Sequence, residues 1–407
     1  MLFTLIKNEL IKITRRSKTW IVFAMFSLLV IGTVCLCHYE AERTKRYKSP
    51  ESQIENIQNE IQSNNNYISK NENSTEERTK EEVLVRKNEV QNLNKELEKQ
   101  QELLKHKDEP DFWKISLKEE KERIQRDIDE GTMDNQIIEH YKERIKEIDK
   151  ALDEDKRPIE SWEFNSINFS ISFMDFIGLV ILAAGIAVFM SDIVSGESTP
   201  PTLKFLLVQP VKRSKIILSK FIAVVITVIS MIGGLEILSF GALSIVSGFE
   251  GWDMKEVIGT KYEWDYSTVA TQGEPVLKAI ENSGVETTRL NLLLQGFGLQ
   301  ILFIIACCAF IFLISAVFKT SMTTMAISVI VSVASTMAAL ISKTVGKISH
   351  LNFFNYGDPI KVLDGKIIHN FSDPNLTVEY GICVMCITIL VSYIIAHIVF
   401  NKKDILI

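Results

Sequence analysis

The residues able to do chemistry in this chain are few and scattered. Glu236, in Gly233-Gly234-Leu235-Glu236-Ile237, stands about midway along an uncharged apolar run. A carboxylate in hydrocarbon is costly, so it marks a candidate substrate or ion pathway; the bland alternative is a protonated Glu bonded to a neighbouring helix. Gln295 and Gln300, in the next run, read first as helix–helix packing, and Gln300 is kept beside Glu236 as a pathway candidate. The six histidines are dispersed, and neither H-E-x-x-H nor a Ser/His/Asp arrangement stands out. G-x-x-x-x-G-K-[ST] is absent, so the chain has no phosphate cradle of that kind. Cys383-x-x-Cys386 has the spacing of a metal or redox pair. All six cysteines (Cys35, Cys37, Cys307, Cys308, Cys383, Cys386) fall in apolar runs, where thiolates are disfavoured, so packing is their expected role. No catalytic residues, no metal site and no cofactor bound by this chain are expected.

The elements that must hold these residues are hidden by averages. A chain of 407 residues, 46% hydrophobic and 24% charged, would pass for a soluble protein. The apolar and charged residues, however, sit in separate blocks. Ser17 to Tyr39 reads SKTWIVFAMFSLLVIGTVCLCHY, about 20 apolar residues, enough to cross roughly 30 Å of hydrocarbon as a helix. Five more such runs follow. The spans are set at 18–39, 169–190, 221–246, 291–317, 323–342 and 380–400. The first reads as an anchor and not a cleaved signal, being long for that role and lacking a small-x-small cleavage site. Span five has a small and hydroxyl face (Ser321, Thr323, Thr324, Ser328, Ser332, Ser335, Thr336) suited to close helix packing.

Charge sets the orientation. Lys7, Lys12, Arg15, Arg16 and Lys18 precede the first span; Lys204, Lys212, Arg213, Lys215 and Lys220 fill the loop after the second; Lys319, Lys402 and Lys403 complete the set. These segments alternate to share one face, which the positive-inside rule makes cytoplasmic, with both termini. The opposite face carries the acidic segments, so the net charge of −6 sums an acidic outside and a basic inside. The expected fold is an all-α polytopic membrane protein with six transmembrane helices and a long extracellular α-helical coiled-coil hairpin. The hairpin occupies 40–168. Val83, Val90, Leu97 and Leu104 recur every seven residues with Leu93 between, and Ile138, Tyr141, Ile145, Ile148 and Leu152 alternate spacings of three and four. Asp108-Glu109-Pro110 reads as the turn between two long antiparallel arms, interrupted at Asn64 to Asn66, at Asn71 to Ser74 and at Gly131. The remaining segments are a cytoplasmic stretch at 1–17, an extracellular loop at 247–290, an extracellular region at 343–379 and a cytoplasmic tail at 401–407.

The loop at 191–220 carries the most telling sequence: Ser195-Gly196-Glu197-Ser198-Thr199-Pro200-Pro201-Thr202-Leu203-Lys204-Phe205-Leu206-Leu207-Val208-Gln209-Pro210-Val211-Lys212-Arg213, running on to Lys220. Thr202 to Val208 reads as a short amphipathic piece between prolines, lying along the membrane face. This segment resembles the loop of ABC-2 type ABC transporter permeases: Glu, a few residues, Thr-Leu-Lys, leucines, Pro, a basic residue, and a Lys at the next span. Pro200-Pro201 departs from it, where the family often has Gly before Thr-Leu. Leu5-Ile6-Lys7-Asn8-Glu9-Leu10-Ile11-Lys12 is similar to the family's elbow helix, Phe353-Phe354-Asn355-Tyr356-Gly357-Asp358-Pro359 to its outer re-entrant region, and Phe400-Asn401-Lys402-Lys403-Asp404-Ile405 to its ending. The large insertion between spans one and two resembles that of branches that include sodium and peptide-antibiotic exporters.

The resemblance implies a transmembrane permease subunit of an ATP-driven exporter in the cell membrane. Its expected cargo is an amphipathic compound or antimicrobial peptide, with export or resistance as the outcome. ATP and Mg would bind a separate cytosolic ABC ATPase, and the permease would form a homodimer or a heterodimer, surrounded by membrane lipid and without nucleic acid. Glu197, Thr202, Leu203, Lys204, Arg213 and Lys220 are the implied ATPase-coupling residues; the alternative is that these charges only anchor the loop to anionic headgroups. Two other functions stay open: an ion exporter of the same architecture using Glu236, and an envelope signalling device in which the ATPase moves the outer hairpin and nothing crosses.

Overall fold

The computed structural model describes residues 2–72, 76–129, 135–198, 212–269 and 275–402. The chain divides into two units, residues 1–37 with 164–407, and residues 38–163.

The first unit is built from helices. α1 (Leu2–Thr14) is followed by the start of α2 (Ser17–Tyr47), which carries the first span. Among the described residues, six helices are long and apolar enough to cross a membrane: α2; α7 (Ser166–Met190); α8 (Arg213–Val246); α9 (Arg289–Val317); α10 (Ser321–Ile341); and α13 (Val378–Lys402). α9 is the axial helix, packing on α7, α8, α10 and α13. Its buried residues surround the helix, from Leu292 and Gly296 through Phe303, Cys307 and Phe312 to Ala316. Such all-round burial is how a uniformly apolar helix reads when it is central. α2, α10 and α13 keep exposed apolar faces instead, including Ile21, Met25 and Leu28; Met322 and Ile330; and Ile387, Leu390 and Ile394. Those faces suit hydrocarbon. The hydroxyl face of α10 is turned inward: Thr324, Ser328, Ser332 and Thr336 are buried, and α10 packs on the second half of α7. The packing role expected of the cysteines holds for Cys307 and Cys308, which are buried. It fails for Cys383 and Cys386, which lie on the exposed face of α13.

Two connections at the far end of the bundle are structured. Residues 247–290, left unassigned beyond loop by the all-α expectation, hold four short strands: β1 (Lys255–Ile258), β2 (Tyr262–Val269), β3 (Pro275–Ala279) and β4 (Val285–Thr288). They form two antiparallel pairs, β1 with β4 and β2 with β3. Arg289, at the root of α9, ties this element down, donating to Glu256 of β1 at 2.8 Å and to Asn168 of α7 at 2.9 Å. The second connection contains α11 (Pro359–Asp364) and α12 (Ile367–Phe371). Asp358 caps α11 by accepting from the Lys361 backbone N–H, and Gly365, at φ 83°, ends it in the left-handed region. Phe353, Phe354, Asn355 and Tyr356 just before it are buried, packing against α9 and α13.

The second unit departs from the single long hairpin. α3 (Pro50–Asn71) and α4 (Glu77–Lys105) form one pair, and α5 (Phe112–Asp129) and α6 (Asn135–Asp153) another. Contacts such as Tyr67 with Glu82, Asn64 with Arg86 and Glu51 with Lys107 run in opposite chain directions, so α3 and α4 are antiparallel. α3 ends at Asn71 and α5 at Asp129, beside the breaks in the heptads, and each arm is a pair of packed helices and not one long one. The turn at 106–111 joins the two pairs. Of the expected stripes, Val83 is buried on α4 with Val90, Leu97 and Leu104 half-buried, and Ile148 packs with Leu117, Ile124 and Ala151 between α5 and α6. A heptad stripe says which face is covered, not which helix covers it.

Arg144 is the polar centre of the α5–α6 pair. Its guanidinium donates twice to the Glu120 carboxylate, at 3.0 and 3.3 Å, and to Glu160 at 2.7 Å. These carboxylates hold it charged more firmly than an ordinary arginine, against the cost of partial burial. Arg144→Ala is expected to remove about 2 kcal/mol from this pair, read as faster amide exchange across 112–153 in the full-length protein. At the ends of the α3–α4 pair, hydrogen bonds from Lys107 and Lys87 lower the Glu51 and Glu72 carboxyls below the ordinary 4.5. A depressed carboxyl stabilises the fold above its unfolded value and loses that contribution as pH falls through its folded value. Acidification below about pH 4 should therefore raise amide exchange first near residues 51, 72, 87 and 107.

Candidate functional site

Of the residues expected to couple this chain to a partner, Arg213 and Lys220 stand on α8 at the end of the bundle where α1 and the end of α13 meet it. α1 is joined to α2 by a tight turn: Thr19 Oγ1 donates to the Ile13 carbonyl at 2.6 Å, and Trp20 Nε1 to the Thr14 carbonyl at 2.9 Å. The turn aims two cations at the end of α7. Arg16 Nη1 lies 3.3 Å from Asp192 Oδ2, and Lys18 Nζ lies 3.1 Å from Asp192 Oδ1 and 2.8 Å from Ser191 Oγ.

Past Met190 the chain is pinned to α9. The Ser315 hydroxyl oxygen accepts the backbone N–H groups of Val194 and Ser195, each at 3.1 Å, while Ser195 Oγ donates to the Ser191 carbonyl at 2.6 Å. Ser195 and Ser315 are both fully buried. These bonds satisfy backbone donors left over where α7 stops, which matters because a buried N–H without a partner costs about 1–3 kcal/mol. Ser315→Ala leaves two of them unsatisfied. It should destabilise the protein by about 2 kcal/mol, seen as a lower melting temperature in detergent. A tight turn, Ser195–Ser198, follows and contains Glu197.

The segment 199–211, which holds Thr202, Leu203 and Lys204, lies outside the described residues. Its exit is fixed as its entrance is. Arg213, the first residue of α8, is exposed and donates to the Asn401 carbonyl near the end of α13 at 3.3 Å. Lys220 has a different place from the one expected. It is buried, with 1% of its side chain exposed, and its Nζ lies 3.0 Å from Glu9 Oε1 of α1. It therefore holds the elbow helix to α8, two helices that pack along each other. Sequence could not pair residues 211 positions apart, although Glu9 stood out as the acid in a basic stretch.

The two pathway candidates meet. Gln300 Nε2 donates to Glu236 Oε1 at 2.8 Å, joining α9 to α8. Glu236 is ten residues from the end of α8 and Gln300 eleven from the start of α9, so each lies about 15 Å from its helix end, near mid-span.

A second polar cluster escaped the sequence reading. Lys361 Nζ forms ion pairs with Asp175 of α7 and, at 3.2 Å, with Asp358. Asp175 interrupts an apolar span as Glu236 does, and the same rule would have found it. Three residues further on, Gly178 opens a π-helical turn, Gly178–Leu182, where α7 meets the 357–358 backbone. π-turns inside α-helices tend to mark functional positions.

The arrangement is thus a bundle whose terminal end holds both flanks of the 199–211 segment and whose helices carry two polar contacts, one buried and one partly exposed. The sequence matches the ABC-2 family transporter proteins over residues 3–405, nearly its whole length. The chain belongs to the ABC-2 transporter family. It is a membrane transport component, the permease of an ABC transporter, and the family is one whose members associate with an ABC ATPase. No curated protein gives a significant match.

Proposed function

We propose that this ABC-2 permease exports an amphipathic compound or antimicrobial peptide, driven by a separate cytosolic ATPase that docks on residues 197–213. The observation that carries the reading is the double clamp. The segment enters through Ser195, bonded to α9, and leaves through Arg213, bonded to α13. A load on the segment is therefore delivered to several spans together and not spent on bending a loose loop. Glu197, Thr202, Leu203 and Lys204 would meet the ATPase; Arg213 would fasten the exit and Lys220 the elbow. ATP and Mg would be held by the ATPase, and two permeases, identical or different, would complete the pathway in the cell membrane with both termini in the cytoplasm.

The reading in which residues 38–163 transmit motion and nothing crosses has support of its own: that unit is a separate compact body.

Deleting 40–163 separates the two. Cells carrying the deletion should retain export of, and resistance to, an amphipathic peptide antibiotic if the bundle is the pathway. Glu197→Ala with Lys204→Ala should abolish both. Loss of resistance with unchanged drug accumulation in the deletion strain would favour the signalling reading.

A further inference from the structure

Glu236 and Gln300 leave a complementary deficit. Their side chains share one hydrogen bond, from Gln300 Nε2 to Glu236 Oε1. The other oxygen of each, Glu236 Oε2 and Gln300 Oε1, is buried without a partner. Both residues are more than nine-tenths buried, at 7% and 1% exposure. Two acceptor oxygens on the same two side chains lack a donor, and a single hydrogen supplies one to both. A carboxylate facing an amide can make only one bond, whereas a carboxylic acid facing an amide makes two.

We propose that Glu236 is a proton-binding site in the bundle interior, with its protonated carboxyl and the Gln300 amide closed into a two-bond pair, Gln300 Nε2–H to Glu236 Oε1 and Glu236 Oε2–H to Gln300 Oε1. The proton comes from water, and the pair latches α8 to α9. Separation of the two helices with entry of water returns the proton to solvent and leaves a hydrated carboxylate.

The surroundings favour a proton over a larger cation. A hard cation takes six or more oxygens, and the two open ones here fall well short of that number. The helices packed against α8 carry the following titratable residues. Asp175 of α7 pairs with Lys361, and Arg289 of α9 with Glu256. α1 contributes Lys7, Glu9 and Lys12 at the terminal end, where Glu9 pairs with Lys220. On α13, Glu379 and Lys402 sit at the two ends, with Tyr380, Cys383, Cys386, Tyr393 and His397 between them. Cys307 and Cys308 of α9 lie two turns beyond Gln300. Gln300 is the partner seen at the Glu236 carboxyl, so neutralisation by a proton is the economical way to keep it in the bundle.

The test is infrared spectroscopy of the full-length protein in lipid nanodiscs at neutral pH, in H2O and D2O. Wild type should show a hydrogen-bonded carboxylic-acid carbonyl band that shifts in D2O and is missing from E236Q, with E236Q melting within a few degrees of wild type because an amide pair keeps both bonds. In Q300L, which keeps Glu236, the same band should move to the frequency of an unbonded acid. A wild-type minus E236Q difference confined to carboxylate bands would overturn the proposal. So would a melting temperature raised by NaCl, relative to choline chloride, in wild type but not in E236Q, which would place a cation between the oxygens. If E236Q does not assemble, the Q300L comparison decides alone, a carboxylate band there counting against the proton.

Discussion

Glu9→Ala is expected to lower the stability of this permease by about 3 kcal/mol, because it takes the carboxylate away from a buried ammonium. Lys220 is 1% exposed and Glu9 13%, so neither charge has much water to fall back on. Removing one partner costs far more than removing both: Glu9→Leu combined with Lys220→Met should recover most of the loss, since matched apolar groups often replace a buried pair without penalty. The expected signature is a large drop in melting temperature for either single variant, with α1 becoming accessible to protease, and near-wild-type behaviour of the double. Arg213→Ala is the contrast. Its side chain is exposed and its bond is to a carbonyl, so stability should change by about 0.5 kcal/mol or less. A fall in export without loss of stability in Arg213→Ala would then report coupling.

The second large effect is expected at Gly178. A β-carbon there would lie 2.8 Å from both the Asp358 Cα and the Gly357 carbonyl oxygen, closer than real contacts allow. The neighbours are backbone atoms and cannot rotate aside. The reverse contact is as tight: a β-carbon on Gly357 would meet the Gly178 carbonyl oxygen at 2.7 Å. Gly178→Ala must therefore push α7 off the segment before α11, at a cost of about 1–3 kcal/mol from overpacking. It should also disturb the Lys361 ion pairs with Asp175 and Asp358. Melting temperature and export should both fall. Gly241→Ala, on α8 with nothing within 4 Å of the added carbon, is the control. It should be neutral or slightly stabilising, since alanine is the better helix former.

What could be read from sequence divides along physical lines. The six spans were legible because hydropathy is a local property, and the helices that carry them are those six. The elbow helix was legible only through the family resemblance of Leu5 to Lys12, and α1 lies there. Heptads at Val83, Val90 and Leu97 located a covered face, but the partner helix is set by where the chain turns. The breaks at Asn71 and Gly131 are where α3 ends and where α5 gives way to α6. The strands of 255–288 are short and lie in paired ladders; Tyr262-Glu263-Trp264-Asp265 alternates as a strand should, but over a stretch too short to outweigh the helical pattern of the rest.

The site divides in the same way. Glu236 announced itself as a charge in a span, yet its bond to Gln300 joins residues 64 positions apart. Lys220 looked like part of the loop because it follows it in sequence, and only packing shows it turned toward α1. Ser315 carried no signal at all. One serine near the end of an apolar span is ordinary, and its role comes from the chain end that α7 delivers to it.

The central claim is that the segment between Ser195 and Arg213 is where an ATPase grips this permease. The direct measurement is affinity purification of the full-length protein from its native membrane, with quantitative identification of what accompanies it. The account predicts a soluble P-loop ATPase at near-equal stoichiometry, lost on Glu197→Ala with Lys204→Ala while the melting temperature is kept. Recovery of the ATPase undiminished by those substitutions would contradict it.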